Sequence, residues 1–351
     1  MKRNIALLPG DGVGPEVTAE AVKVLKKIAE NYNHEFNFTE GLIGGVAIDK
    51  FGNPFPKETE ELCLKSDAIL FGAIGDPKYD NDPKAKIRPE QGLLAMRKAL
   101  GLYANVRPIF TYDSIIDKSP LKREIIQGVD FVVIRELIGG IYFGKRGRGE
   151  DGNSAYDTCS YTKEEIRRVA KFAFELSMRR RKLLTLVDKA NVLETSRLWR
   201  ETVQEMSKDY LQVTVSYMFV DNASMQIIKR PSEFDVILTE NMFGDILTDE
   251  ASVITGSIGM LPSASIGEKT SLYEPIHGSY PKAAGKNTAN PIGTILSAAM
   301  MLEYSFGMKE EAQAVRSAVK KTLEQGYGTK DITKTHVLST SDLGDQISKM
   351  I

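Results

Sequence analysis

The 351 residues exceed the roughly 100–200 of a usual single domain, and 42% apolar with 26% charged content marks a globular chain rather than a disordered or fibrous one. A net charge of −1 excludes a bulk basic field able to hold nucleic acid or an anionic membrane, so a small anionic ligand needs a local cluster of Arg and Lys. No stretch approaches the roughly 20 apolar residues of a membrane span, residues 5–8 are too short for a signal-peptide core, and Cys63 and Cys159 give no CxxC or zinc spacing, so a cytoplasmic protein with two buried free thiols is expected.

Strands and helices alternate along the chain. Residues 5–8 form an apolar run that ends at Pro9-Gly10, and Pro15 suits the first turn of a helix carrying Val17, Ala21, Val24, Leu25 and Ile28 at helical spacing. Residues 68–71 and 131–134 read as buried strands, the second ending at Arg135-Glu136. Residues 139–157 are rich in Gly and charge and read as an excursion from the core. Thr162 and Glu165 form a capping-box pattern that opens a helix to about Arg180, and the basic run 179–182 complements the dipole at its end. Residues 183–187 are a strand ending at Asp188-Lys189. Val213, Val215, Tyr217 and Phe219 alternate as in a half-buried strand, followed by Asp221. Residues 236–238 make one more strand, and Pro291 opens an apolar helix through Ile295, Ala298, Ala299 and Leu302. This order predicts an α/β fold with largely parallel pairing, whose ligands lie at the carboxyl ends of strands. Asp11, Arg135, Lys189 and Asp221 fall at such ends.

Gly10-Asp11-Gly12-Val13-Gly14-Pro15 follows a strand and opens a helix, but Pro15 stands where a dinucleotide fingerprint needs its third glycine, and no acidic residue ends a strand about 20 residues on. A classical Rossmann site is disfavoured; a tight turn and a ligand loop both fit. Asp245 and Asp249 are four apart, so on a helix their carboxylates share a face and repel unless a cation lies between them. Hard oxygen ligands suit Mg2+ or Mn2+, although an isolated pair of this spacing is most often a solvated acidic face. Arg97, Arg107 and Arg135 would grip a dicarboxylate if they converged, since guanidinium forks bind carboxylates bidentately. Lys189 at a strand end is a candidate proton-transfer group, and Tyr142 a candidate acid. The turn Glu274–Ser279, with Asn290-Pro291 beyond it, could cradle a nucleotide with backbone N–H groups. His34, His277 and His336 are too few and too scattered to hold zinc.

Taken in order, LPGDGVGPEV, RPEQGLLAMRKALGLYANVRP, RELIGGIYFG, VDKANVL, VDNASMQ, NMFGDILTDEAS, GMLPSAS and EPIHGS…NPIGTILSAAMML resemble the isocitrate/isopropylmalate dehydrogenase family across essentially the whole chain. The resemblance implies a two-domain, non-Rossmann α/β fold: residues 1–99 with 252–351 bind the dinucleotide, and 100–251 form the dimer interface, with 139–157 as the exchanged arm. It implies a homodimer with shared active sites, no nucleic-acid or membrane partner, NAD, and Mg2+ or Mn2+. By the same resemblance Arg97, Arg107 and Arg135 clamp the malate carboxylates. Asp221, Asp245 and Asp249 are metal ligands, with Asp221 and Lys189 from the neighbouring subunit. Lys189 takes the hydroxyl proton and Tyr142 is the acid. Val13, His277, Gly278, Ser279, Lys282 and Asn290 are expected at the dinucleotide.

Substrate choice is read from Leu93 and Leu94, with Val192 and Glu90 nearby by analogy: an apolar wall suits an isopropyl group and leaves a third carboxylate unpaired. The expected reaction is oxidative decarboxylation of 3-isopropylmalate in leucine biosynthesis. Tartrate/D-malate and homoisocitrate oxidation are the sister alternatives. A non-catalytic regulatory subunit should have lost a clamp arginine, the lysine or a metal carboxylate, and all are present. Lys282 departs from the pattern: many NAD-linked members have an acidic residue there to accept from the ribose, whereas a lysine can pair with a 2′-phosphate, which leaves NADP open.

Overall fold

The structure is a computed structural model that describes residues 1–80 and 87–351. Its main strands in chain order are β1 (Lys2–Gly10), β2 (Glu35–Glu40), β3 (Ala68–Ala73), β4 (Ala104–Phe110), β5 (Asp130–Glu136), β6 (Arg146–Arg148), β7 (Ala155–Asp157), β8 (Leu183–Asp188), β9 (Thr214–Phe219), β10 (Val236–Thr239), β11 (Pro262–Ile266) and β12 (Leu272–Pro275). The chain forms two compact units, one of Met1–Leu102, Tyr112–Ser119 and Thr255–Ile351, the other of Tyr103–Thr111 and Pro120–Ile254.

In the first unit the strands run β2-β1-β3-β12-β11, parallel except for the antiparallel β11–β12 pair. Every residue of β3 is buried, as expected of a continuous apolar strand covered on both faces. The helix Gly14–Tyr32 has proline in its first turn and buries Val17, Ala21, Val24, Leu25 and Ile28. It ends where Asn33 takes a left-handed conformation. The helix Ile292–Tyr304 is buried nearly all round and packs on β11 and β12, which is why its sequence shows an apolar run rather than a stripe.

In the second unit the order is β4-β5-β10-β8-β9, with β4 antiparallel to β5 and the rest parallel. The capping box opens the helix Lys163–Arg179, Thr162 accepting from the Glu165 amide and Glu165 from the Thr162 amide. The basic run beyond it does more than face the helix end: Arg180 donates to Asp235 at 2.8 Å and to Asp130 at 2.9 Å, which ties the helix to the start of the sheet. Strands β6 and β7 make a hairpin on which Arg146 lies opposite Asp157, and most of its residues are exposed. The thiols differ from expectation. Cys63 is buried and pushed up to about 12 by burial, but Cys159, two residues beyond the 139–157 excursion, is only half-buried. Among the described residues no helix is long and apolar enough to cross a membrane.

Leu25 is completely buried in the first unit's core. Leu25→Ala is expected to cost about 2–5 kcal/mol, read as a lower urea midpoint at unchanged denaturant slope.

Candidate active site

The second unit gathers Arg107, Arg135, Tyr142, Asp245 and Asp249. Asn105 lies opposite Arg135 and Arg107 opposite Val133, so the two arginines are diagonal neighbours on one face of the β4–β5 pair. Both are buried. The helix Asn241–Ser252 brings Asp245 and Asp249 to them one turn apart. Asp245 accepts from Arg135 Nη1 and, at 2.8 Å, from the Tyr142 hydroxyl. Arg107 lies 3.8 Å from Asp245 and 3.6 Å from Asp249; it also donates to Asn105 at 2.7 Å and to Thr248. The Arg135 guanidinium sits over the Tyr142 ring, 5.6 Å from its centre. Burial, and then the hydrogen bond to Asp245, push the Tyr142 hydroxyl up to about 12, so it stays protonated at neutral pH. Desolvation by the surrounding helix and sheet raises the Asp249 carboxyl against the pull of Arg107, although its side chain is 69% exposed.

Lys189 and Asp221 form a separate pair, Nζ to Oδ1 2.6 Å, and that hydrogen bond holds the exposed Asp221 carboxyl below its ordinary range. Among the described residues no three His, Cys, Asp or Glu side chains gather to hold a metal ion, so Asp221, Asp245 and Asp249 are not a complete ligand set within one chain. The donor chemistry nevertheless fits a hard divalent cation: two carboxylates on one helix face, held against arginines that offset their charge. Val192, in the turn after β8, is 60% exposed.

In the first unit, Glu90, Leu93, Leu94 and Arg97 follow one face of the helix Pro89–Leu100. Arg97 is buried 3.8 Å from Glu274, Leu93 and Leu94 are half-buried, and Glu90 is exposed. Val13, His277, Gly278 and Asn290 line a cavity of about 660 Å³ together with Tyr280, Lys330 and Asp331. Ser279 is buried beside it, and its carbonyl accepts from the Val13 amide at 2.8 Å. Gly12 must be glycine: its φ is +60°, and a Cβ there would overlap the Ser279 carbonyl. Lys282 is exposed on the short turn Pro281–Ala283 and is not part of the cavity wall.

His277 Nδ1 lies 2.9 Å from the Gly278 carbonyl, while Nε2 is buried with no hydrogen-bond partner. Burial lowers the His277 pKa, so the ring is neutral, and the carbonyl contact assigns the proton to Nδ1. Nε2 is then an unmet acceptor in the cavity wall, suited to a ligand amine such as that of adenine. Open space above Gly278 allows a close approach. The cavity therefore fits a dinucleotide.

Further polar groups brace these sites. Asp11 is buried and accepts from the amides of Gly45, Val46 and Gly75, which pins the glycine-rich loop to two neighbouring segments. Asp331 accepts from Ser257, Asn290 and Thr329 at the cavity wall. Glu240 caps and Asn241 begins the helix that carries Asp245; in the sequence Asn241 is named only as part of the NMFGDILTDEAS block, and Glu240 lies just before that block. Glu136 is buried and accepts from the amides of Ile138 and Gly139.

Burial pushes Glu136 up to about 7 from an ordinary 4.5. The folded chain then holds this proton where the unfolded chain has released it, so the group's contribution to stability is full below 4.5 and is lost as pH rises to about 7. Glu136→Gln should remove that part of the decline, measured as the difference in urea stability between variant and wild type across this window.

The model of the family described as isocitrate/isopropylmalate dehydrogenase matches residues 4–347. A 3-isopropylmalate dehydrogenase of Moorella thermoacetica is 55% identical over 350 residues, covering 98% of each chain. One from Clostridium acetobutylicum is 58% identical over 332 residues, covering 93% of each. Among solved structures, isocitrate dehydrogenase from Methylococcus capsulatus superposes with a TM-score of 0.89 at 32% identity, covering 99% of both chains. A beta-decarboxylating dehydrogenase from Thermococcus kodakarensis gives a TM-score of 0.81 at 36% identity, covering 99% of this chain and 96% of that one.

Proposed function

The chain belongs to the isocitrate/isopropylmalate dehydrogenase family, and from that premise we propose that it oxidises and decarboxylates (2R,3S)-3-isopropylmalate to 4-methyl-2-oxopentanoate and CO2, reducing NAD, in leucine biosynthesis. The observation that carries the reading is the gathering of Arg107, Arg135, Tyr142, Asp245 and Asp249 in one cluster. Arg107 and Arg135 are the carboxylate clamp, and Arg97 joins them on the family resemblance. The family resemblance assigns Leu93, Leu94 and Val192 to an apolar wall for the isopropyl group and Glu90 to the nicotinamide.

Asp245 and Asp249, with the partner subunit's Asp221, would hold Mg2+ or Mn2+. When bound, the cation supplies Lewis acidity for both halves of the reaction, and NAD supplies the hydride acceptor. The partner subunit's Lys189 takes the proton of the C2 hydroxyl as hydride leaves C2. The 2-keto acid has a carboxylate β to its carbonyl, and this leaves as CO2. Tyr142, held protonated by burial and by its bond to Asp245, donates its proton to C3.

The first unit is the dinucleotide-binding domain, with Val13, His277, Gly278, Ser279 and Asn290 around the cofactor. Lys282, together with Lys330 in the cavity wall, favours NADP as a second reading, since a lysine can pair with a 2′-phosphate but cannot accept from a ribose hydroxyl. Dimerisation is supported by the exposed hairpin β6–β7, since a lone two-stranded hairpin is at best marginally stable. It is supported too by Met225 and Ile246, 55% and 59% exposed on neighbouring helices.

Steady-state reduction of NAD and NADP with 3-isopropylmalate, D-malate and isocitrate, each with Mg2+ or Mn2+, tests the reading. The highest kcat/KM is expected for 3-isopropylmalate with NAD; preference for another 2-hydroxy acid would sink the substrate assignment, and preference for NADP would give Lys282 or Lys330 the phosphate. In Tyr142→Phe turnover should fall by roughly 10²–10⁴-fold with KM for NAD little changed.

A further inference from the structure

We propose that Asn241 is a positioning residue, which fixes the edge of the Arg135 guanidinium offered to the substrate and holds the turn that carries Tyr142. The inference rests on the reading of Arg135 and Tyr142 given above.

Asn241 is fully buried at the first residue of its helix. Its Oδ1 accepts from both Nε (3.0 Å) and Nη2 (2.8 Å) of Arg135. Its Nδ2 donates to the Gly139 carbonyl at 3.0 Å, and its backbone amide donates to the Tyr161 hydroxyl at 3.1 Å. The partners fix the orientation of the amide, because a guanidinium only donates and a carbonyl only accepts.

A guanidinium can receive a carboxylate along its Nε/Nη2 edge or along its Nη1/Nη2 edge. Asn241 fills the first edge. On the second edge Nη1 donates to Asp245, so a ligand carboxylate that meets this edge shares it with Asp245. The filling group is neutral, so the positive charge of Arg135 is not consumed by the residue that orients it. An aspartate there would pair one oxygen with the same edge as an ion pair and set its other oxygen against the Gly139 carbonyl. A leucine would leave the edge unpaired in a buried place.

The donor side of the amide acts on the turn. Gly139 leads into the short helical turn Gly140–Tyr142. Gly140 has φ +73°, and a Cβ there would overlap the Tyr161 hydroxyl. Asn241 thus holds the turn through Gly139 and seats the Tyr161 hydroxyl that packs against Gly140. One side chain sets the mutual position of clamp and acid.

The test compares wild type with Asn241→Asp and Asn241→Leu by steady-state kinetics and by hydrogen exchange of backbone amides 138–142. Asn241→Asp is expected to raise KM for 3-isopropylmalate about tenfold while KM for NAD stays within about twofold. Both variants should speed exchange in the turn without faster exchange in the first unit. Unchanged KM for 3-isopropylmalate, or equal loss toward both substrates with early melting, would overturn the kinetic role, and unaltered exchange in the turn would overturn the positioning. If wild type does not turn over 3-isopropylmalate, the functional reading fails, and the exchange measurement alone decides for Asn241.

Discussion

Arg135 is the group on which the second unit's arrangement depends. Its guanidinium is 2% exposed and cannot shed its charge, so the fold has to surround it with acceptors. They come from the opening turns of one helix: the Asn241 amide, then the Asp245 carboxylate, with the Tyr142 ring beneath. Each of these is held in place because the charge must be met. Gly244 lies where the helix passes closest to the arginine, and a Cβ there would press on the Arg135 side chain.

The same logic runs with the sign reversed elsewhere. Asp245 and Asp249 repel one another across a helical turn, and Arg107 beside both offsets that repulsion. In the first unit the buried Asp11 meets three backbone amides and needs no cation. A carboxylate satisfied by amides is a fastener between segments. One satisfied by arginine side chains leaves those cations able to meet a ligand as well.

What the sequence disclosed was what it encodes locally. The capping box at Thr162, the shared helix face of Asp245 and Asp249 and the buried strand β3 each follow from residues a few positions apart. Strand β4 was hidden, because Arg107 and Pro108 interrupt its apolar pattern, and only pairing with β5 shows Arg107 and Arg135 to be neighbours. Asn241 reaches Arg135 across 106 positions, and nothing near either residue announces the contact. Asp331 sits in a polar stretch that reads as loop, and its place at the cavity depends on Ser257 and Asn290. Glu136 reads as one more charged strand end; its shifted titration follows from the depth of burial, which local pattern does not encode. Lys189 and Tyr142 are candidates from the residues alone, and only the resemblance gives them definite roles, since a single lysine or tyrosine is most often solvated or packed.

The hairpin β6–β7 has a bearing on the life of the chain before it reaches its final state. Its strands are three residues each and largely exposed, so a newly made chain displays unpaired backbone edges there. Those edges invite indiscriminate pairing with any passing strand. Arg146, Arg148, Glu150, Asp151 and Asp157 spread charge of both signs along this short excursion, and Gly147, Gly149 and Gly152 deny it a flat apolar surface. Charged residues and glycines on a short exposed edge are the features that oppose edge-to-edge association of strands.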